Sequence, residues 1–88
     1  MSVYFSDNAW ADYTYWQTED RKTVKKINKL IADMVRGGYA GIGHPELLAG
    51  DLSGFASRKI DEKNRIIYRV SAAGRIEIVQ CRGHYGDK

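Results

Sequence analysis

The sequence predicts one α+β domain in which a short N-terminal strand and a two-helix hairpin precede an antiparallel β-meander. Apolar residues recur at helical spacing in the first half of the chain. The second half holds short runs rich in β-branched and aromatic residues, separated by tight turns. Because 88 residues suffice for one core, we expect residues 1–88 to form a single domain with the helices packed on one face of a sheet.

The N-terminal segment predicts a strand and a first helix. Residues 3–5 have strand character, and Ser6 is placed as an N-cap whose hydroxyl accepts a hydrogen bond from the following turn. Aromatic and small apolar residues then lie three and four positions apart: Ala9, Trp10, Tyr13 and Trp16. This spacing places them on one face of a helix.

The second helix has the clearest pattern in the chain. We expect Thr18 to be its N-cap and Gly37-Gly38 to end it, because glycine adopts the left-handed C-terminal conformation without a Cβ clash. Its apolar stripe consists of Val24, Ile27, Leu30, Ile31, Met34 and Val35. Four lysines lie largely off this stripe, where they are either a solvated helix face or contacts for RNA phosphates: Lys22, Lys25, Lys26 and Lys29.

The remaining chain predicts an irregular segment and then three strands. Residues 37–54 contain six glycines and Pro45, the only proline, so we expect a loop there. The predicted strands span residues 55–60, 65–70 and 75–82. The turns that join them are short, which indicates antiparallel hairpins.

Basic residues crowd the β half of the chain. Alternation along residues 65–70 places Arg65, Ile67 and Arg69 on one face and leaves Ile66, Tyr68 and Val70 for the core. Guanidinium groups on one sheet face match the geometry of phosphate oxygens. A solvated sheet face with scattered charge explains the same pattern equally well.

Composition narrows the classes of function only modestly. A net charge of +3 and a pI of about 9.1 are compatible with a polyanionic partner, but many small domains of this charge bind no nucleic acid. The single cysteine, Cys81, excludes an intramolecular disulfide and follows apolar residues, so we expect a buried structural thiol. The sequence shows no metal or phosphate-loop motif, no membrane span and no signal peptide, and we expect a cytoplasmic protein without a cofactor.

Six blocks of sequence together resemble the YoeB-type toxins of the RelE superfamily, and the likeness covers residues 1–85 almost without gaps. The first two blocks read WADYTYW (10–16) and KKINKLI (25–31). The remaining four read GHPELL (43–48), LSGFASRKI (52–60), RIIY (65–68) and CRGHY (81–85). Each block alone is weakly specific, and their order and spacing make the likeness specific.

This resemblance implies the toxin of a type II toxin–antitoxin pair with a microbial-RNase-like sheet. Such toxins are endoribonucleases that cut mRNA in the A site of the 70S ribosome. It also implies a YefM-like antitoxin with a disordered segment that folds over the site, homodimers, and operator DNA bound only through the antitoxin complex. An alternative hypothesis is a catalytically weak homologue that acts mainly in antitoxin binding and operon autoregulation.

Carried over by position, the resemblance implies three residues for acid–base and electrostatic catalysis. Glu46 is the expected general base, Arg65 the phosphate stabiliser and His84 the general acid. Tyr85 is the adjacent aromatic that orients or stacks the RNA. The basic residues expected to bind RNA are Arg58, Lys59, Arg69 and Arg82.

Three positions depart from the family pattern. Ala56 stands where tryptophan is usual, and its small side chain would leave either a core gap or a thinner contact surface. Lys59 replaces the more usual arginine and so offers a point charge instead of a fork. Residues 86–88 extend the chain beyond the His-Tyr pair, so activity weaker than that of relatives is compatible with the sequence.

Overall fold

The structure is a computed structural model that describes residues 2–84. Within that range two helices pack on a single five-stranded sheet, an α+β arrangement as predicted. The elements are β1 Ser2–Phe5, α1 Asp7–Glu19, α2 Arg21–Gly37, β2 Glu46–Leu47, a 3₁₀ turn Gly50–Leu52, β3 Ala56–Lys59, β4 Arg65–Val70 and β5 Arg75–Gln80. Tyr85 and residues 86–88, for which the sequence predicts roles, lie outside the described residues.

The sheet has the strand order β1-β5-β4-β3-β2. Strands β3, β4 and β5 form the predicted antiparallel meander. Strand β1 pairs in parallel with β5, and β2 adds a two-residue antiparallel strand beside β3 inside the segment predicted as a loop. Neither pairing is visible in the sequence, because β1 and β5 are far apart along the chain and β2 is too short to show alternation.

The helix ends confirm two predicted caps and correct a third. The Ser6 hydroxyl accepts a hydrogen bond from the Ala9 N–H at 3.1 Å, and Gly38, at φ 62°, ends α2. Thr18 is not the cap of α2, since its hydroxyl donates to the Tyr15 carbonyl within α1. The Asp20 carboxylate caps α2 instead and accepts from the next helix turn. Both residue types suit an N-cap, and the extended backbone at Asp20 decides between them.

The core lies between the sheet and the two helices. Three residues of the predicted α2 stripe, Ile27, Leu30 and Met34, are fully buried, whereas the four lysines of α2 are exposed. The other buried apolar residues of this core are Ala9, Ala56, Ile60, Ile66, Tyr68, Ile76, Ile78 and Cys81. The predicted burial of the Cys81 thiol is therefore confirmed.

The alternation predicted for β4 is present, with one difference. Ile66 and Tyr68 lie in the core, and Arg65 and Arg69 lie on the opposite face. Ile67 shares the arginine face but is only 1% exposed, and the pairing with β5 is irregular between Ile67 and Tyr68. The face opposite the helices thus has a buried apolar centre. Among residues 2–84 no helix is long and apolar enough to cross a membrane.

Candidate active site

The face of the sheet opposite the helices, called the open face below, carries two of the predicted catalytic residues, Glu46 and Arg65. One row of paired residues crosses it from β2 to β5: Glu46, Ser57, Ile67 and Gln80. A second row, two residues further along the strands, pairs Lys59 with Arg65. Since paired residues on neighbouring strands share a face, all six belong to the open face.

Glu46 lies at the edge of the open face in β2. It is exposed and sits directly across from Ser57. Beside it is an open cleft of about 440 Å³ lined by Glu46, Leu47, Leu48, Ala49, Asp51 and Leu52. A carboxylate in this place is accessible to a ligand that lies across the open face.

Arg65 and the segment that carries His84 are direct neighbours. The Arg65 N–H donates to the Gly83 carbonyl at 2.9 Å, so the chain after β5 continues alongside the start of β4. His84 is the next residue and is partly buried. Glu46 is two strands and two residues away from Arg65, a backbone separation of roughly 12 Å. The Glu46 carboxylate, the start of β4 at Arg65 and the backbone of the His84 segment thereby lie around one end of the open face.

The Arg65 side chain is oriented by the preceding turn. Its Nη1 donates to the carbonyls of Asp61 at 2.7 Å and Asn64 at 3.2 Å. The Asp61 carboxylate in turn accepts from the backbone of Lys63 and from Asn64. Burial opposes ionisation of Asp61, but these hydrogen bonds outweigh it and hold the pKa of Asp61 below its usual range. The turn at residues 61–64 therefore holds the Arg65 guanidinium in one orientation.

Three of the four residues predicted to bind RNA have side chains with access to solvent. Lys59 is ion-paired with Glu62 at 2.8 Å, and Arg69 with Glu77 at 2.6 Å. The Arg69 hydrogen bond holds the pKa of Glu77 below its usual range. The Arg82 guanidinium lies 3.7 Å from the centre of the Tyr15 ring. These exposed ion pairs are weak, so a phosphate can compete for the two cations.

Arg58 does not belong to an RNA-binding surface, and the prediction that it contacts RNA is wrong. Its side chain is fully buried on the helix side of β3. The Nε donates to the Tyr68 hydroxyl at 3.0 Å, and Nη1 forms an ion pair with Asp33. The remaining N–H groups donate to the backbone carbonyls of Gly38, Ala40 and Ile42. All five donors of the guanidinium are used inside the protein.

The Arg58 network fixes the loop that leads to Glu46. The same Asp33 carboxylate accepts from the Ile42 N–H at 3.0 Å, and its hydrogen bond from Arg58 holds its pKa below the usual range. Burial raises the pKa of the Tyr68 phenol, which stays a neutral partner. Gly41, at φ 138°, has no room for a Cβ because the Asp33 carboxylate occupies that space. The loop therefore follows one path into β2.

The sequence did not single out the residues that support this site. Asp33 lies in a helix and reads as a surface residue, while Asn64 and Gln80 read as ordinary polar residues of a turn and a strand. The Asn64 side-chain Oδ1 accepts from the Gly83 N–H at 2.8 Å, and the Gln80 side-chain amide donates to the backbone carbonyls of Arg82 and His84. No local pattern signals such contacts, because each joins residues brought together by strand pairing. Ala56 is buried in β3, and nothing in the structure shows what replaces the usual tryptophan.

The described residues offer no evident site for a metal ion. Across residues 2–84 no group of three or more histidine, cysteine, aspartate or glutamate side chains is placed to hold one. The groups available for chemistry on the open face are a carboxylate, guanidiniums and an ammonium, and the segment that carries His84 adjoins them. This set suits proton transfer beside a phosphate ester.

Comparison with known proteins gives a consistent assignment over nearly the whole chain. The family of YoeB-like toxins of bacterial type II toxin–antitoxin systems matches residues 5–85. The toxin YoeB of Streptomyces coelicolor is 46% identical over 97% of this chain and 100% of its own length, and the toxin YoeB of Escherichia coli K12 is also 46% identical over the same shares.

Solved structures agree with the sequence comparisons. The YoeB/ParE toxin from Agrobacterium tumefaciens superimposes with a TM-score of 0.93 at 44% identity, covering 97% of this chain and all of that one. A heterotetrameric YoeB–YefM toxin–antitoxin complex and a YoeB dimer, both from Staphylococcus aureus, each match at 42% identity over 97% of this chain and 98% of theirs, with TM-scores of 0.88 and 0.89. A YafQ mutant from E. coli, at 13% identity and a TM-score of 0.79, shares the fold. Because the family match, the relatives and the fold agree over nearly the whole chain, the chain belongs to the YoeB-like toxins of bacterial type II toxin–antitoxin systems.

Proposed function

We propose that this toxin is a ribosome-dependent endoribonuclease that cleaves mRNA in the ribosomal A site and so inhibits translation. Glu46 is the general base, Arg65 stabilises the phosphate and His84 is the general acid. Tyr85, which follows His84 in the sequence, is assigned to orient or stack the RNA. The observation that carries the proposal is the placement of Glu46, Arg65 and the His84 segment around one end of the open face.

The proposed reaction needs only groups that the chain and the RNA supply. Glu46 removes the proton from the 2′-OH, and the 2′-oxygen attacks the adjacent phosphorus. As the bond from phosphorus to the 5′-oxygen breaks, His84 gives a proton to that oxygen. Arg65 offsets the negative charge that develops on the phosphoryl oxygens. The products are a 2′,3′-cyclic phosphate, which can open to a 3′-phosphate, and a 5′-hydroxyl.

The remaining cations on and beside the open face supply electrostatic affinity. Lys59 of β3 lies directly opposite Arg65 of the neighbouring strand β4 and is assigned to the phosphate next to the cleavage site. Arg69 extends the positive surface along β4, and Arg82, which lies outside the open face with its guanidinium against Tyr15 of α1, adds positive charge beside the His84 segment. An mRNA phosphate would displace the glutamates that now pair with Lys59 and Arg69, so binding should weaken as salt rises.

The relatives support two of the partners proposed for this toxin. A YefM-like antitoxin is the proposed neutralising partner, because the S. aureus relative is seen with YefM in a heterotetramer. A homodimer is proposed on the ground that the same relative forms one. Contact with the ribosome and mRNA follows from the proposed activity, and contact with operator DNA is assigned only to the complex with antitoxin.

The test is cleavage of a defined mRNA on programmed ribosomes by the unmodified protein and by Glu46→Gln, Arg65→Gln and His84→Gln variants. We expect a cut at the A-site codon, reduced by about 10²–10⁴ in the Glu46 and His84 variants and by about 10²–10³ in the Arg65 variant. Arg75→Gln is a matched control, since Arg75 lies at the far end of β5 beside Tyr4 and Glu77.

The ends of the cleaved RNA test the mechanism separately from the activity. A cyclic or 3′-phosphate end is expected, and a 5′-phosphate product would contradict attack by the 2′-OH. Failure of the unmodified protein to cut any programmed message would favour the alternative function in antitoxin binding and autoregulation.

A further inference from the structure

Two side chains of helix α1 form hydrogen bonds with the backbone N–H and carbonyl of Cys81, three residues before His84. The Cys81 N–H donates to the Asp12 carboxylate at 3.0 Å, and the Cys81 carbonyl accepts from the Trp16 indole N–H at 2.9 Å. Cys81 is fully buried and Asp12 is 4% exposed, so neither bond is shared freely with water. These two side chains lie one helical turn apart on α1, which makes their spacing rigid.

Further side-chain contacts hold the residues between Cys81 and His84. Arg82 stacks on Tyr15, the Gly83 N–H donates to Asn64, and the Gln80 amide holds the carbonyls on either side. Side chains from α1, β5 and the 61–64 turn thus contact each residue of the segment in succession. Three of these side chains, Asp12, Tyr15 and Trp16, come from the aromatic block of α1.

We propose that Asp12 and Trp16 are positioning residues for the general acid, acting through Cys81 on the place of His84. The proposal rests on the function assigned above to His84. A general acid works only within hydrogen-bond reach of the leaving oxygen, and a displacement of about 1 Å can cost about 10²-fold in rate. Fixing both backbone groups of Cys81 sets the direction in which the next three residues leave the sheet.

The position of α1 does not depend only on its two hydrogen bonds to Cys81. Tyr13 donates to Asn28 of α2 at 2.7 Å, and Ala9 is fully buried in the core. Trp16→Phe removes the indole N–H while keeping an aromatic ring, so the helix should stay in place. Asp12→Asn is the conservative change, because its amide oxygen can still accept from the Cys81 N–H.

The experiment compares two mRNAs on programmed ribosomes, one normal and one with sulfur in place of the bridging 5′-oxygen at the cut. A thiolate leaves without a proton, so the sulfur substrate does not need a general acid. We expect Trp16→Phe to slow single-turnover cleavage of the normal mRNA by about 10- to 100-fold. On the sulfur substrate both Trp16→Phe and His84→Gln should approach the unmodified rate, and Asp12→Asn should lose less than Trp16→Phe.

The matched control is Tyr13→Phe, which removes a hydrogen bond of α1 that does not touch the segment and should leave both rates unchanged. A folded Trp16→Phe variant that cleaves the normal mRNA at the unmodified rate would overturn the proposal. Equal losses on the two substrates would also overturn it, because they would show a general structural defect.

Backbone NMR of the isolated toxin provides a readout that does not require activity. Trp16→Phe should move the amide resonances of residues 82–84, whereas Tyr13→Phe should not. If the amide resonances of residues 82–84 do not move in Trp16→Phe, the hydrogen bond from Trp16 to Cys81 does not fix this segment. If the unmodified protein cleaves no mRNA but the resonances of residues 82–84 do move in Trp16→Phe, the proposed function is refuted. The structural link from Trp16 through Cys81 to these residues then still stands.

Discussion

Two segments deliver the proposed acid and base to the open face, and they are held in opposite ways. The loop before Glu46 is fixed from inside by one buried cation, with Arg58 bonded to Asp33 and to three loop carbonyls. The segment that carries His84 is fixed from several sides by separate contacts with Asp12, Trp16, Asn64 and Gln80. The loop before the base is therefore organised around one buried side chain, whereas the segment with the acid is held by several separate contacts.

The difference determines how each end of the site should fail. Removing the buried cation takes away the buried partner of the Asp33 carboxylate and leaves the loop carbonyls unsatisfied, which destabilises the whole domain. Removing one contact to the His84 segment costs about one hydrogen bond and leaves the fold intact. Changes in the loop should thus act first on stability, and changes around His84 first on activity.

The largest expected effect is that of Arg58→Met. Because Asp33 and the loop carbonyls lose their partner, we expect the free energy of unfolding to fall by about 3 kcal/mol. For a domain of this size that corresponds to a fall in Tm of roughly 12 °C or more. Thermal unfolding followed by circular dichroism measures it.

Arg36→Met is the matched control for Arg58. Arg36 pairs with the same Asp33 carboxylate at 3.3 Å, but its side chain is 72% exposed, so its loss should cost less than about 1 kcal/mol. Similar losses in the two variants would show that the buried network is not what fixes the loop.

An intermediate effect is expected for Asn64→Ala, which removes the acceptor of the Gly83 N–H and also the amide that donates to Asp61 in the turn that orients Arg65. Unfolding free energy should fall by about 1 kcal/mol, while A-site cleavage falls by about tenfold or more as His84 loses alignment. Asn8→Ala is the control, since Asn8 makes a comparable bond to the Val79 carbonyl away from the site. Loss of stability without loss of cleavage would reverse the proposed contrast between the two segments.

The smallest expected effect is a dependence of stability on acid pH through Asp33. Its pKa is lowered in the folded state, chiefly by the hydrogen bond from Arg58, so the unfolded chain binds the proton more readily. The stabilisation is present above the usual carboxyl pKa of about 3.9 and is lost as the pH falls through the lower folded value.

Urea unfolding of the unmodified protein and of Asp33→Asn between pH 2 and pH 7 measures the pH-dependent contribution of Asp33 to the free energy of unfolding. The unmodified protein should be the more stable at neutral pH, and the gap should narrow below about pH 4. A gap that is constant over the whole range would exclude a lowered pKa at Asp33.

Much of the fold could be predicted because its signals are local. Strand β4 is observed over the predicted residues, since alternation and flanking turns define it, and α2 shows the predicted apolar stripe and glycine end. The parallel pairing of β1 with β5 and the short strand at Glu46 were not predicted. Both depend on contacts between distant residues, which leave no periodic trace in the sequence.

The candidate site divides along the same line. The sequence by itself determined the residue types, the resemblance to YoeB-type toxins and the positions Glu46, Arg65 and His84, whose catalytic roles remain predictions. Only the tertiary structure decided that Arg58 turns inward while its neighbour Lys59 lies on the open face. Two adjacent basic residues look alike in a sequence, and the pleat of β3 together with the carboxylate of Asp33 determines which one is buried.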